Sequence, residues 1–214
     1  MAASLPTPPG GRPAPRRPMR GWRVWRVHDG RLRSWLADDS WRPGTNTARC
    51  LRHGAAPCPD PPGAGCQCGF WAMFDVLSCF DQAQGHANRP IVVGLIAGWG
   101  GVAVHGDEGF RAEHARVLCL FTDLLLTPPV VWSVGQAFSS HWWQAAQALG
   151  CTPRPAPLAA PRAARLKEVA DAYAVPLTSL AAAYRSGALA ELGVDDGMMH
   201  GVRRWIALGR PERT

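Results

Sequence analysis

The chain has 214 residues, of which 47% are apolar, with 23 Lys and Arg against 16 Asp and Glu and seven cysteines. This length and apolar content suit one substantial domain or two small ones with a real core. A membrane-spanning helix is excluded on composition: the longest apolar stretch, Val117 to Val134, is broken by Asp123 and by Pro128-Pro129, and a span needs about 20 uninterrupted apolar residues.

Charge is unevenly placed. Residues 1–60 carry 11 Arg and four Asp, a balance of +7, while residues 61–214 carry 12 basic and 12 acidic residues. A localised positive field favours an anionic partner such as nucleic acid, an acidic protein or a lipid surface. Only Lys167 among the basic residues is lysine, so a GC-rich coding bias explains the choice of arginine but not its clustering.

Residues 1–19 are Pro-rich, contain Arg12, Arg16 and Arg17, and lack the apolar h-region of a cleavable signal. They are expected to be a disordered tail. Trp22 to Val27 is rich in β-branched and aromatic residues, Asp29-Gly30 is a tight-turn dipeptide, and Arg31 to Leu36 is the expected returning strand. Trp41-Arg-Pro-Gly44 breaks this pattern.

The chemistry-bearing stretch follows. Cys50-x2-His53-x12-Cys66-x-Cys68 brings two ligand pairs to either side of a Pro- and Gly-rich loop, which is how a structural zinc site is assembled. Cys58 is the alternate ligand, in place of His53. Disulfide pairing and unligated thiols are the competing readings, although seven cysteines leave one unpaired. Cys79 and Cys119, flanked by Leu and Phe, are read as core thiols.

Phe70 to Phe80 fits helical spacing. Ile91 to Leu95, Val102 to His105 and Ala115 to Phe121 read as strands separated by turns at 98–101 and 106–109, and connections this short favour antiparallel pairing. Beyond Pro128-Pro129, helices are expected over Gln136 to Leu149, Arg162 to Val175, Leu177 to Leu192 and Met198 to Leu208, with a linker over Pro153 to Pro161. The expected fold is α+β: a disordered tail over 1–19, a zinc-braced antiparallel β-rich unit over 20–130 and a helical C-terminal region over 131–214.

Trp41-Arg-Pro-Gly44, Cys50, Cys66-Gln-Cys-Gly-Phe-Trp-Ala72, Gly94 to Val102 and Gly109-Phe-Arg-Ala-Glu-His-Ala115 together resemble a family of small bacterial proteins frequent in actinobacteria. Its pattern runs W-x-P-G, a Cys with a nearby His, C-x-C-G-I-Y-A, a glycine strand with W-G-x-V, and G-x-R-A-x-x-A. The resemblance covers roughly residues 20–121. The chain departs from the pattern at Phe70-Trp71, where Ile-Tyr is usual, and at Ala97-Gly98, where Leu is usual. It implies that Cys50, His53, Cys66 and Cys68 act as a unit. The family has no assigned activity, so no function is implied.

Three further features compete for a role. Val169 to Leu180 resembles a helix-turn-helix, but its second helix offers only Thr178, Ser179, Ala181, Ala182 and Arg185 to bases, and an ordinary helical hairpin explains the same residues. Arg111 and Glu113 should share a strand face and form an ion pair. Alternatively, with His28 and Trp71, Glu113 composes a trio like that of NAD-dependent ADP-ribosyltransferases. Trp22, Trp25, Trp35, Trp41, Trp71 and Trp99 either line a pocket for a planar ligand or form core. Phosphate-loop, Ser-His-Asp and paired-carboxylate signatures are absent from the sequence.

The reading is therefore a non-enzymatic, cytoplasmic module with a structural zinc ion. In it Arg23, Arg26, Arg31 and Arg33 contact nucleic acid or an acidic protein in a regulatory role. The alternatives are the ADP-ribosyltransferase-like enzyme, acting near Arg111 and Glu113, and a transcription factor using the C-terminal helices.

Overall fold

A computed structural model describes residues 17–35, 39–50, 56–83, 91–122 and 160–208. The predicted helix at 136–149 lies outside them, as does Trp142-Trp143. The fold is α+β. Seven strands form one sheet: β1 (Met19–His28), β2 (Arg31–Ser34), β3 (Asn46–Thr47), β4 (Phe70–Met73), β5 (Ile91–His105), β6 (Gly109–Phe121) and β7 (Leu177–Thr178). The helices are α1 (Val76–Ala83), α2 (Ala160–Tyr173), α3 (Leu180–Ser186), α4 (Ala188–Glu191) and α5 (Asp196–Leu208).

The β1–β2 hairpin forms as the sequence predicts. Asp29 and Gly30 both have positive φ, at 49° and 68°, the geometry a two-residue turn needs to match strand twist. From there the sheet curls on itself. β1 pairs antiparallel with β5, β5 with β6 and β6 with β4, and β4 returns to β1 through Trp22 and Met73. β6 is the hub, because its other edge is covered in turn by β4, β3 and β7.

The sheet corrects two expectations. Residues 91–105 form one strand of 15 residues rather than two strands and a turn. The glycines at 98–101 mark a β-bulge, where the register against β6 shifts between Trp99 and Val102 and Gly100 takes φ of 80°. A bulge and a turn demand the same residue type, and local sequence does not separate them. Phe70 to Met73 is a strand, with Phe70 and Ala72 buried, and the helix begins only at Val76. Short apolar runs satisfy both periods, and the free edge of β6 decides this one.

The sheet carries an apolar cluster on each face. One joins Trp22, Val24, Leu95, Cys119 and Phe121 to Val76 and Cys79 of α1 and to Leu180, Leu189, Met198, Val202 and Trp205 of α3 to α5. The other joins Trp25, Leu32, Trp41, Phe70, Phe110 and Leu120 to Leu166, Val169, Ala170 and Tyr173 of α2. Cys79 and Cys119 are buried as expected.

The chain passes from one face to the other through β7. This strand lies parallel to β6 and is tied to it by Leu120 N–H to the Pro176 carbonyl and Thr122 N–H to the Thr178 carbonyl, both at 2.9 Å. α2 and α3 therefore sit in different apolar clusters and form neither a helix-turn-helix nor a hairpin. A two-residue strand is too short to carry a sequence signal. Among the described residues, no helix is long and apolar enough to cross a membrane.

Candidate metal centre

The pairing of β6 explains how residues far apart in sequence meet. β3 is antiparallel to β6 through Asn46 with Ala115 and Thr47 with His114, so the chain leaving Thr47 runs toward Glu113 and is held by Ala48 N–H to the Glu113 carbonyl at 2.7 Å. β4 begins at Phe70 opposite Ala112, so the chain just before Phe70 approaches the same point from the other side. Cys50 arrives by the first route, and Cys66 and Cys68 by the second. Cys58 comes from the loop between them.

The sulfurs of Cys50, Cys58, Cys66 and Cys68 all lie within 4.8 Å of one another, with Cys50 and Cys66 at 3.6 Å. A tetrahedron of metal–sulfur bonds of about 2.3 Å has edges of about 3.8 Å, so this set can hold a single metal ion. None of the four is in a disulfide. His53 lies outside the described residues, and Cys58, the alternate ligand, is the fourth thiol of the cluster. The loop is shaped around these sulfurs. A β-carbon at Gly63 would stand 2.6 Å from Cys58 Sγ, and Gly63 N–H donates to Cys68 Sγ at 3.3 Å.

The thiols perturb one another as a shared-proton cluster would. The pKa of Cys66 is pulled down to about 6, first by the hydrogen bond from the Cys68 backbone N–H and then by the Cys58 thiol. That of Cys58 is pushed up to about 12, chiefly by its hydrogen bonds with the Cys66 and Cys50 side chains. Burial pushes Cys68 up. Thiols must lose their protons to ligate a divalent cation, so metal binding by such a set releases protons.

Arg111 and Glu113, predicted as an ion pair, have separate partners. Arg111 is buried and donates from Nη1 to the Cys66 carbonyl and, at 3.0 Å, to the Cys68 carbonyl, and from Nε to His105 Nε2 at 2.9 Å. Glu113 accepts from Gly101 N–H of the bulge at 2.9 Å and lies 3.3 Å from His114 Nε2. His28 is at the β1–β2 turn, 2.9 Å from the Asp29 carboxylate, and Trp71 stacks on His105. The trio imagined for NAD chemistry is thus engaged elsewhere. Arg111 also holds the loop that carries Cys66 and Cys68, and nothing in the sequence separates it from Glu113, His114 and Arg116 of the same strand.

The four hairpin arginines divide. Arg23 turns into the core: it donates to the Trp71 carbonyl and to Ser34 Oγ at 3.1 Å, and its guanidinium lies 4.8 Å from the centre of the Trp41 ring. Desolvation pulls its pKa down to about 10. Arg26 and Arg33 are directly opposed, and Arg31 is opposed to His28, so these four side chains share one face of the hairpin. Trp22, Trp25 and Trp41 are buried in the two apolar clusters.

Comparison of the chain with protein-family models, with curated proteins and with solved structures returns no match.

Proposed function

We propose that this protein is a non-enzymatic, zinc-stabilised binding module that contacts nucleic acid through its basic β1–β2 hairpin, in a regulatory role in the cytoplasm. The four-sulfur cluster carries the reading. Four thiolates fill the coordination shell of zinc and leave no position for a water or a substrate, as structural sites do and catalytic sites do not. Thiolate ligands select zinc or iron over magnesium or calcium, and four sulfurs this close suit one ion rather than a multi-iron cluster. The resemblance to the actinobacterial family, with its paired cysteines, agrees with a ligand unit.

Register supports the choice of partner. Arg26, which donates from Nε to the Ser34 carbonyl at 3.3 Å, and the exposed Arg31 lie on the same face of the hairpin, and a local concentration of positive charge attracts a polyanion. Phosphates are the natural counter-charge for a row of guanidinium groups.

Fluorescence anisotropy with a labelled DNA duplex tests this. Binding should weaken with salt at a slope of about −2.7 in log K against log salt, the value for about three phosphate contacts. The double substitution Arg26→Gln with Arg31→Gln should reduce that slope by about two and weaken binding equally across sequences. Retention of full affinity by the double variant would contradict the assignment. Absence of duplex binding at low salt, with binding of a poly-glutamate peptide instead, would move the partner to an acidic protein.

A further inference from the structure

The loop is gripped from the sheet side at each of the three residues from Cys66 to Cys68. Cys66 and Cys68 both present their carbonyls to Arg111 Nη1. The carbonyl of the intervening Gln67 accepts from Trp71 Nε1 at 3.3 Å. Trp71 and Arg111 are register partners on β4 and β6, so both donors come from one rung of the ladder. His105, across on β5, completes the arrangement. It accepts from Arg111 Nε at 2.9 Å and stacks on Trp71 with ring centres 4.5 Å apart, and the guanidinium carbon lies 5.3 Å from the Trp71 ring centre. Each of the three side chains is fixed by the other two.

We infer that Arg111 is the positioning residue of the metal centre, holding Cys66 and Cys68 in ligating geometry and supplying the positive charge that the loaded site requires. The inference rests on the metal-binding reading of the four cysteines. A divalent ion with four thiolates carries a net charge of −2, which a cation nearby offsets. Arg111 is only 6% exposed and its guanidinium bonds to the backbone of two ligands, so it stands where that charge arises. Its planar fork reaches two carbonyls and an imidazole at once, whereas a lysine ammonium is a single point that cannot span them. Groups that orient metal ligands in this way are commonly worth ten- to a hundredfold in affinity.

The test is titration of the reduced full-length protein with Co2+, read by its sulfur-to-cobalt charge-transfer and d–d bands, followed by displacement with Zn2+. Wild type should show the intense bands of a tetrahedral four-thiolate site. Arg111→Gln should bind about tenfold to a hundredfold more weakly, with altered d–d bands reporting distorted geometry. Arg111→Lys should recover part of the affinity without restoring the spectrum. Trp71→Phe keeps the ring on His105 but loses the bond to the Gln67 carbonyl, so it should weaken binding by a few-fold. It also provides a readout should Arg111→Gln fold poorly. An Arg111→Gln protein with wild-type affinity and spectrum would overturn the inference while leaving the metal centre intact, as would Trp71→Phe with unchanged affinity if Arg111→Gln cannot be purified. A wild-type protein that develops no charge-transfer band would overturn the metal reading itself.

Discussion

Removal of the metal by a strong chelator under reducing conditions lowers the melting temperature by about 10 °C or more. Structural zinc can contribute on the order of 10 kcal/mol where folding and binding are fully coupled. In this fold the coupling is partial, because two apolar clusters hold most of the sheet and helices together without the loop. A contribution of several kcal/mol remains, since β4 begins two residues after Cys68 and its pairing with β6 helps to close the sheet. At about 2 to 4 °C per kcal/mol for a chain of this size, a drop of at least 10 °C follows. Cys58→Ser and Cys66→Ser should reproduce it without chelator. Calorimetry with and without chelator makes the measurement, and coincident melting curves would show that the four sulfurs hold no stabilising ion.

Trp41→Ala should cost about 4 kcal/mol, within the range for truncating a buried aromatic. Trp41 is 2% exposed and packs edge-on against Trp25 and Phe70, with ring centres 5.3 and 4.8 Å away. Its Nε1 donates to Ser34 Oγ at 3.1 Å, and its carbonyl accepts from Tyr173 Oη at 2.6 Å. Truncation leaves Ser34 without that donor, removes the ring beneath Arg23 and opens a cavity between the β2 hairpin and α2. Trp41→Phe restores most of the ring volume and should cost about half as much. Urea denaturation gives both values. If Trp41→Ala weakened polyanion binding at unchanged stability, Trp41 would belong to a ligand surface rather than to the core.

Legibility in the sequence followed the range of the interactions involved. The β1–β2 hairpin was readable because Asp29-Gly30 and the flanking apolar residues are a local signal that the fold does not override. The apolar face of α2, with Leu166, Val169, Ala170 and Tyr173, was readable for the same reason: its period of 3.6 is set within one segment. Residue type and spacing grouped Cys50, Cys66 and Cys68 with His53, and kept Cys58 as the alternate; the structure brings the three cysteines together with Cys58.

Long-range features were not readable. Whether Phe70 to Met73 became strand or helix depended on β6 offering an edge some forty residues later. The glycines at 98–101 form a bulge only in the context of β6, against which the register shifts and whose Glu113 accepts the Gly101 N–H. Arg23 and Arg26 are three residues apart and look alike in sequence. In the fold, strand alternation sends Arg23 to the Trp41 side of the sheet and Arg26 to the other. Arg111 reads as half of an ion pair because carboxylates are the usual partners of arginine, whereas its partners in the fold are His105 and two backbone carbonyls, and backbone carbonyls carry no trace in side-chain letters.

The central claim is that one ion sits among four sulfurs, and X-ray absorption at the zinc edge of the purified protein tests it most directly. Four sulfur neighbours at about 2.3 Å, with no lighter atom in the shell, are expected. A shell containing a nitrogen at about 2.0 Å would put His53 at the corner of the tetrahedron assigned to Cys58, and a protein carrying no stoichiometric metal would contradict the claim outright.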